Sequence, residues 1–99
     1  MDDLAQVIVE FNTKASTIFL SHYNEFIHTV EKLDRKKDEN IFQLQQNRYL
    51  ETLKNRLEYL AQSILNKYES MRGASLLYKK LTDEISQLQN EFRRRSSSL

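Results

Sequence analysis

YESMRGAS, residues 68–75, holds the only glycine of a 99-residue chain that has no proline, and the fold turns on whether a helix passes through it. On either side runs a heptad pattern. Counting from Leu50 in alternating steps of three and four, the positions are Leu50, Leu53, Leu57, Leu60, Ile64, Lys67, Met71, Ala74, Tyr78, Leu81, Ile85, Leu88 and Phe92. Lys67 is the single polar member, and the mean step is about 3.5, the period at which helices wrap around one another with a left-handed supercoil. Two separate helices would share that phase by chance roughly one time in seven. A mid-helix glycine costs only about 1 kcal/mol relative to alanine, so the register favours one helix through Gly73. Glycine is also the preferred residue just beyond a helix end, and the seam thins here to Lys67 and Ala74 around Met71. A break near Gly73 is therefore the alternative.

Upstream, Leu4, Ile8, Phe11, Ala15, Ile18 or Phe19, Tyr23, Phe26, Val30 and Leu33 recur at a mean step of about 3.6, the period of a straight helix. Val7, Val9, Leu20 and Ile27 widen this stripe, as expected for a helix with two neighbours. Asp3 is the expected cap, with Gln6 as its capping-box partner. DRKKDEN, residues 34–40, has no apolar residue and shifts the phase by one position, so the chain is expected to turn there, with Asn40 capping the next helix.

These readings predict an all-α chain. It would be an antiparallel helical hairpin with a helix over about 3–33, a turn over 34–40, a long coiled-coil helix over 41–95 and a flexible tail over 96–99. The alternative is a three-helix bundle broken near Gly73. At 1.5 Å per residue the two hairpin arms would reach about 45 and about 80 Å, leaving the far end of the second arm uncovered.

Composition narrows the function classes. The 39% apolar share is low, and 15 basic against 14 acidic residues give a net charge of +1, too weak a field to imply nucleic acid or an anionic membrane. The chain has no cysteine, which removes disulfides, thiolate metal sites and cysteine nucleophiles and fits an intracellular, cytoplasmic (or nuclear) setting. Neither a basic signal-type leader nor an eighteen-residue apolar run occurs, so neither a secretory signal nor a transmembrane segment is expected.

His22 and His28 are six residues apart and do not share a helix face, so no metal site is expected, and they read as surface or interface residues. Adjacent carboxylates at Asp2 and Asp3, or Asp83 and Glu84, face different ways and suit capping and solvation better than acid/base work. The reading is of a non-enzyme with no catalytic residues, metal, cofactor or small-molecule substrate. Tyrosines 23, 49, 59, 68 and 78 suit interface filling. The tail RRRSSSL, residues 93–99, reads as a frayed end, or as a phosphorylation switch at Ser96 or Ser97 behind its arginines.

The function expected from these features is a protein–protein interaction subunit, a scaffold or adaptor. It would assemble by coiled-coil packing into a larger complex through Leu50, Leu53, Leu57, Leu60, Ile64, Met71, Tyr78, Leu81, Ile85, Leu88 and Phe92. A heteromer is favoured over a homodimer, because the positions flanking the seam carry few opposite charges. A small helical chaperone shielding a partner is the alternative. A nucleic-acid or membrane-surface binder using residues 35–37 and 93–95 is the weaker one.

Overall fold

A computed structural model describes residues 3–68 and 73–99. It contains three helices, α1 (Asp3–Val30), α2 (Glu39–Lys67) and α3 (Ala74–Ser97), and no strand among the described residues. The all-α expectation is met. The single helix over 41–95 is not: α2 ends at Lys67, Tyr68 closes it with its N–H on the carbonyls of Ile64 and Leu65, and α3 starts at Ala74.

Gly73 sits at the break with φ +89° and ψ 17°, a left-handed conformation that costs a residue bearing a Cβ about 1–2 kcal/mol. Its carbonyl then accepts the Leu77 N–H at 2.9 Å, the first hydrogen bond of α3. A shared phase does not require a continuous helix, because the periodic seam only requires α3 to face α2. A helix folded back on its neighbour satisfies that as well as a helix running on.

Each helix touches both others. Glu10 meets Lys67 and Tyr68, and His22 meets Tyr49, so α2 runs antiparallel to α1. Gln46 meets Ser96 and Leu50 meets Gln89, so α3 runs antiparallel to α2. Phe92 packs on Phe19, Tyr23 and Phe26, which places α3 alongside α1, and since both run antiparallel to α2 they run in the same direction. The molecule measures 53 × 17 × 17 Å, far short of an arm of about 80 Å. This arrangement is compatible with a three-helix bundle.

The core is continuous but uneven. Phe11, Phe19, Phe26, Phe42 and Phe92 are buried, and four of these rings, with Tyr23, Tyr49 and His22, form a cluster of edge-to-face and tilted contacts where α1 ends, α2 begins and α3 ends. Such pairs contribute about 0.5–1.5 kcal/mol beyond the area they bury. At the opposite end the core is mostly aliphatic, with Val7, Ala61, Ile64 and Leu77 around the single buried ring of Phe11.

The first turn also departs from expectation. α1 stops at Val30 rather than 33, and α2 starts at Glu39, with Asp38 and not Asn40 in the capping position. Asp38 does not cap through its side chain; its carboxylate instead accepts the Asp34 N–H at 3.0 Å, while Asp34 accepts the Lys36 N–H at 2.9 Å. The two aspartates thus satisfy the turn's own amides, a local competition that Asp favours. Asp3 lies inside α1, not ahead of it.

Candidate functional site

The residues expected to face a partner lie largely inside the chain. Leu50, Leu53, Leu57, Ile64, Leu81, Ile85 and Phe92 are buried, Leu60 and Leu88 are half-buried against the same core, and Met71 falls outside the described residues. The premise that the second half of the heptad is uncovered is therefore corrected: α1 and α2 cover it. Tyr78 is the exception, 61% exposed, while its neighbour Leu77 is fully buried. The buried set on α3 is Leu77, Leu81, Ile85, Phe92 and Ser96, so the inward face keeps the expected positions 81, 85 and 92 and departs from them at its start, where Leu77 stands in place of Tyr78.

A groove of about 530 Å³ lies between α2 and α3. Lys54, Glu58, Ala61, Gln62 and Leu65 line it from α2, and Tyr78, Leu81, Thr82, Ile85, Ser86 and Gln89 from α3. Antiparallel packing produces it, since residues three, four and seven apart on each helix stack along one edge. Its floor is Ala61 with the outer edges of Leu81 and Ile85, and the small Ala61 and Ser86 side chains leave it open. Gln89 crosses one end and donates from Nε2 to the Leu50 carbonyl at 2.9 Å. Lys54 and Glu58, both exposed and one turn apart, are its only charged residues. Of the seam residues expected to meet a partner, Tyr78, Leu81 and Ile85 reach this groove. Gln62, Leu65, Thr82 and Ser86 were not foreseen, because a groove between two antiparallel helices leaves no periodic mark in either one.

Smaller hollows, about 240–280 Å³, lie between α1 and α3 at Leu20 and Leu88, between α1 and α2 at His22 and Arg48, and at the aromatic end beside Leu33 and Leu99. None carries a group of three or more His, Cys, Asp or Glu side chains able to hold a metal, and no such group occurs among the described residues.

His22 was expected at the surface or an interface and is instead buried within the chain's own core. Its Nε2–H donates to the Tyr49 carbonyl at 2.7 Å, and its Nδ1 has no hydrogen-bond partner. Burial lowers its pKa; the Tyr49 carbonyl and Glu25 oppose this and Arg56 reinforces it. A neutral ring fits the cluster because it packs on Tyr49 and Phe92. His28 is exposed, 3.6 Å from Glu31.

Most of the notable cations are engaged within the chain. Arg35 stacks 3.9 Å from the Phe42 ring centre and donates to Glu39 at 3.2 Å and to the Leu99 carbonyl at 2.7 Å. Arg94 and Arg95 both reach Glu91 at 2.6 Å and hold its carboxyl down at about 2. Lys67 reaches Glu10 at 3.5 Å, and the Tyr68 hydroxyl donates to the same carboxylate at 3.1 Å. Burial would raise the Glu10 pKa, but the bonds from Tyr68 and Lys14 with the charges of Lys67 and Lys14 outweigh it, and the net shift is down.

The end of the chain is not a free tail. α3 continues to Ser97, and Ser96 is fully buried, accepting a hydrogen bond from Gln46 Nε2 at 2.6 Å and donating to the Arg93 carbonyl at 3.2 Å. Ser97 is exposed, with Gln46 Nε2 3.2 Å from its hydroxyl. Of the two candidate phosphorylation positions, only Ser97 presents its hydroxyl at the surface.

No family model matches the chain, and neither a curated protein nor a solved structure matches it. No described helix is long and apolar enough to cross a membrane.

Proposed function

We propose that the chain is a non-enzymatic interaction subunit, a closed three-helix bundle that receives a helix of another protein in the groove between α2 and α3. The observation that carries this reading is the groove itself. It runs from Lys54 to Leu65 on one wall and from Tyr78 to Gln89 on the other, about 17 Å or three helical turns. An apolar floor with amide and hydroxyl walls matches an amphipathic helix, whose apolar stripe would sit over Ala61, Leu81 and Ile85. The exposed Tyr78 ring at its mouth is the kind of residue that dominates such contacts.

The partner's stripe would be short, since the groove holds three turns. Lys54 and Glu58 favour one acidic and one basic residue, a turn apart, on its flank. A heteromeric complex is the assembly this reading favours.

The test compares proteins that co-purify with the parent chain and with Thr82→Arg/Ser86→Arg. Both positions are exposed on the α3 wall, so the fold should survive and circular dichroism checks that it does. Loss of specific partners in the double variant supports the reading. Identical partners for both chains would remove the groove from it.

A further inference from the structure

The contacts between α2 and α3 are arranged almost symmetrically about the link that joins them. Gln46 and Ser96, bonded at 2.6 Å, each lie 25 positions from position 71, and Leu50 and Gln89, bonded at 2.9 Å, straddle nearly the same point. The heptad phase runs through that link without slip, and no proline interrupts it. Two copies whose α2 and α3 were each joined into one helix could therefore lie antiparallel across position 71. They would remake between chains the contacts that one chain makes within itself.

We propose that the chain also pairs with a second copy of itself by exchanging α3. In the exchanged dimer α2 and α3 become one helix, and α3 of each copy packs on α1 and α2 of the other. This goes beyond the reading of the groove, since the surfaces exchanged are the core faces of α3.

Gly73 sets the balance. Its φ of +89° suits the folded-back form, where it carries no Cβ penalty, and the same residue is the poorest ordinary helix former in the joined form. A Cβ built there would meet nothing within 4 Å, so a substitution is opposed by the backbone alone.

Gly73→Ala disfavours the left-handed residue and favours the helix, shifting the balance by about 30-fold per chain and so by about a thousandfold in the dimerisation constant. Light scattering after size exclusion, over a range of concentrations, is expected to find Gly73→Ala dimeric at concentrations where the parent is monomeric, with no loss of helical dichroism.

A Gln46→Cys/Ser97→Cys pair added to each chain and joined by a short bismaleimide reports who holds whom, because the chain has no cysteine of its own and the Gln46 side chain reaches Ser97 across the α2–α3 contact. The reagent should link two chains in the Gly73→Ala dimer and close within one chain in the parent monomer. A Gly73→Ala chain that stays monomeric throughout overturns the proposal, as does a dimer whose cross-links close within single chains. The same cysteine pair in the chain with Gly73 intact, refolded at millimolar concentration, reads the exchange without that substitution. There, cross-links between chains support it and wholly intrachain cross-links overturn it, even if Gly73→Ala fails to fold.

Discussion

Gln46 donates from Nε2 to the buried hydroxyl of Ser96 at 2.6 Å, tying the last turn of α3 to the first half of α2 across fifty residues of sequence. Both groups of this pair are satisfied, since Ser96 passes its own proton to the Arg93 carbonyl. The contact makes the end of α3 part of the core.

Ser96 and Ser97 should therefore differ sharply. Ser96→Glu would place a carboxylate in the core without a partner and is expected to cost about 3 kcal/mol or more, whereas Ser97→Glu should cost less than about 1 kcal/mol. Urea denaturation of the two variants checks this. Equal, small losses would mean that the last turn does not pack as described.

The residue pair after Gly73 gives a second contrast. Leu77 is fully buried and Tyr78 is 61% exposed. Leu77→Ala is expected to destabilise the monomer by about 2–5 kcal/mol and Tyr78→Ala by about 0.5 kcal/mol or less. The opposite order would restore the unbroken heptad register.

Phe92 touches Phe19, His22, Tyr23 and Phe26, a dense set of contacts between α3 and α1. Its replacement by Ala should cost about 3–5 kcal/mol. Thermal unfolding followed by dichroism would register a large fall in Tm, and a change of a degree or two would be incompatible with a core centred there.

Acid should loosen the chain through His22. Burial lowers its folded pKa below the ordinary 6.5, so the unfolded chain binds the proton more readily. The stability linked to this is complete above about 6.5 and is lost as pH falls from there towards the folded value. Glu25 on α1 and Arg56 on α2 act on the ring in opposite senses. The fall in stability between pH 7 and pH 5 should shrink in His22→Phe, and an unchanged pH profile would show that His22 is not held neutral. Glu91, held at about 2 by Arg94 and Arg95, contributes in a separate window. Its share is present above the ordinary value of 4.5 and disappears as pH falls towards 2.

Helical periodicity made legible the apolar stripe of α1, with core residues such as Phe11, Ala15 and Phe26, and the seam that α2 and α3 share, while the turn between α1 and α2 was placed two to three residues late. The break at Gly73 was not decided by it. A seam that pairs with its own reflection looks the same whether α3 folds back on α2 or runs on, and it is the end of α2 at Lys67, the left-handed Gly73 and the Gln46–Ser96 bond that separate the two. The fold-back converted the expected partner seam into core and shifted the inward face from Tyr78 to Leu77. The core position of His22 leaves no mark in the sequence, because a lone polar side chain suits a surface or an interface equally and carries no sign of the Tyr49 carbonyl that awaits it. The groove went unseen because its walls come from positions that flank the apolar stripes, where Gln62, Thr82 and Ser86 look like ordinary solvated residues.

The central claim is that the chain folds back at Gly73 and covers its own seam. Small-angle X-ray scattering at low protein concentration tests it most directly. The account predicts a monomer whose Cα radius of gyration is 15.8 Å and whose long axis is 53 Å before side chains and hydration are added. A particle with an arm of about 80 Å, at any mass, in those dilute conditions would contradict it.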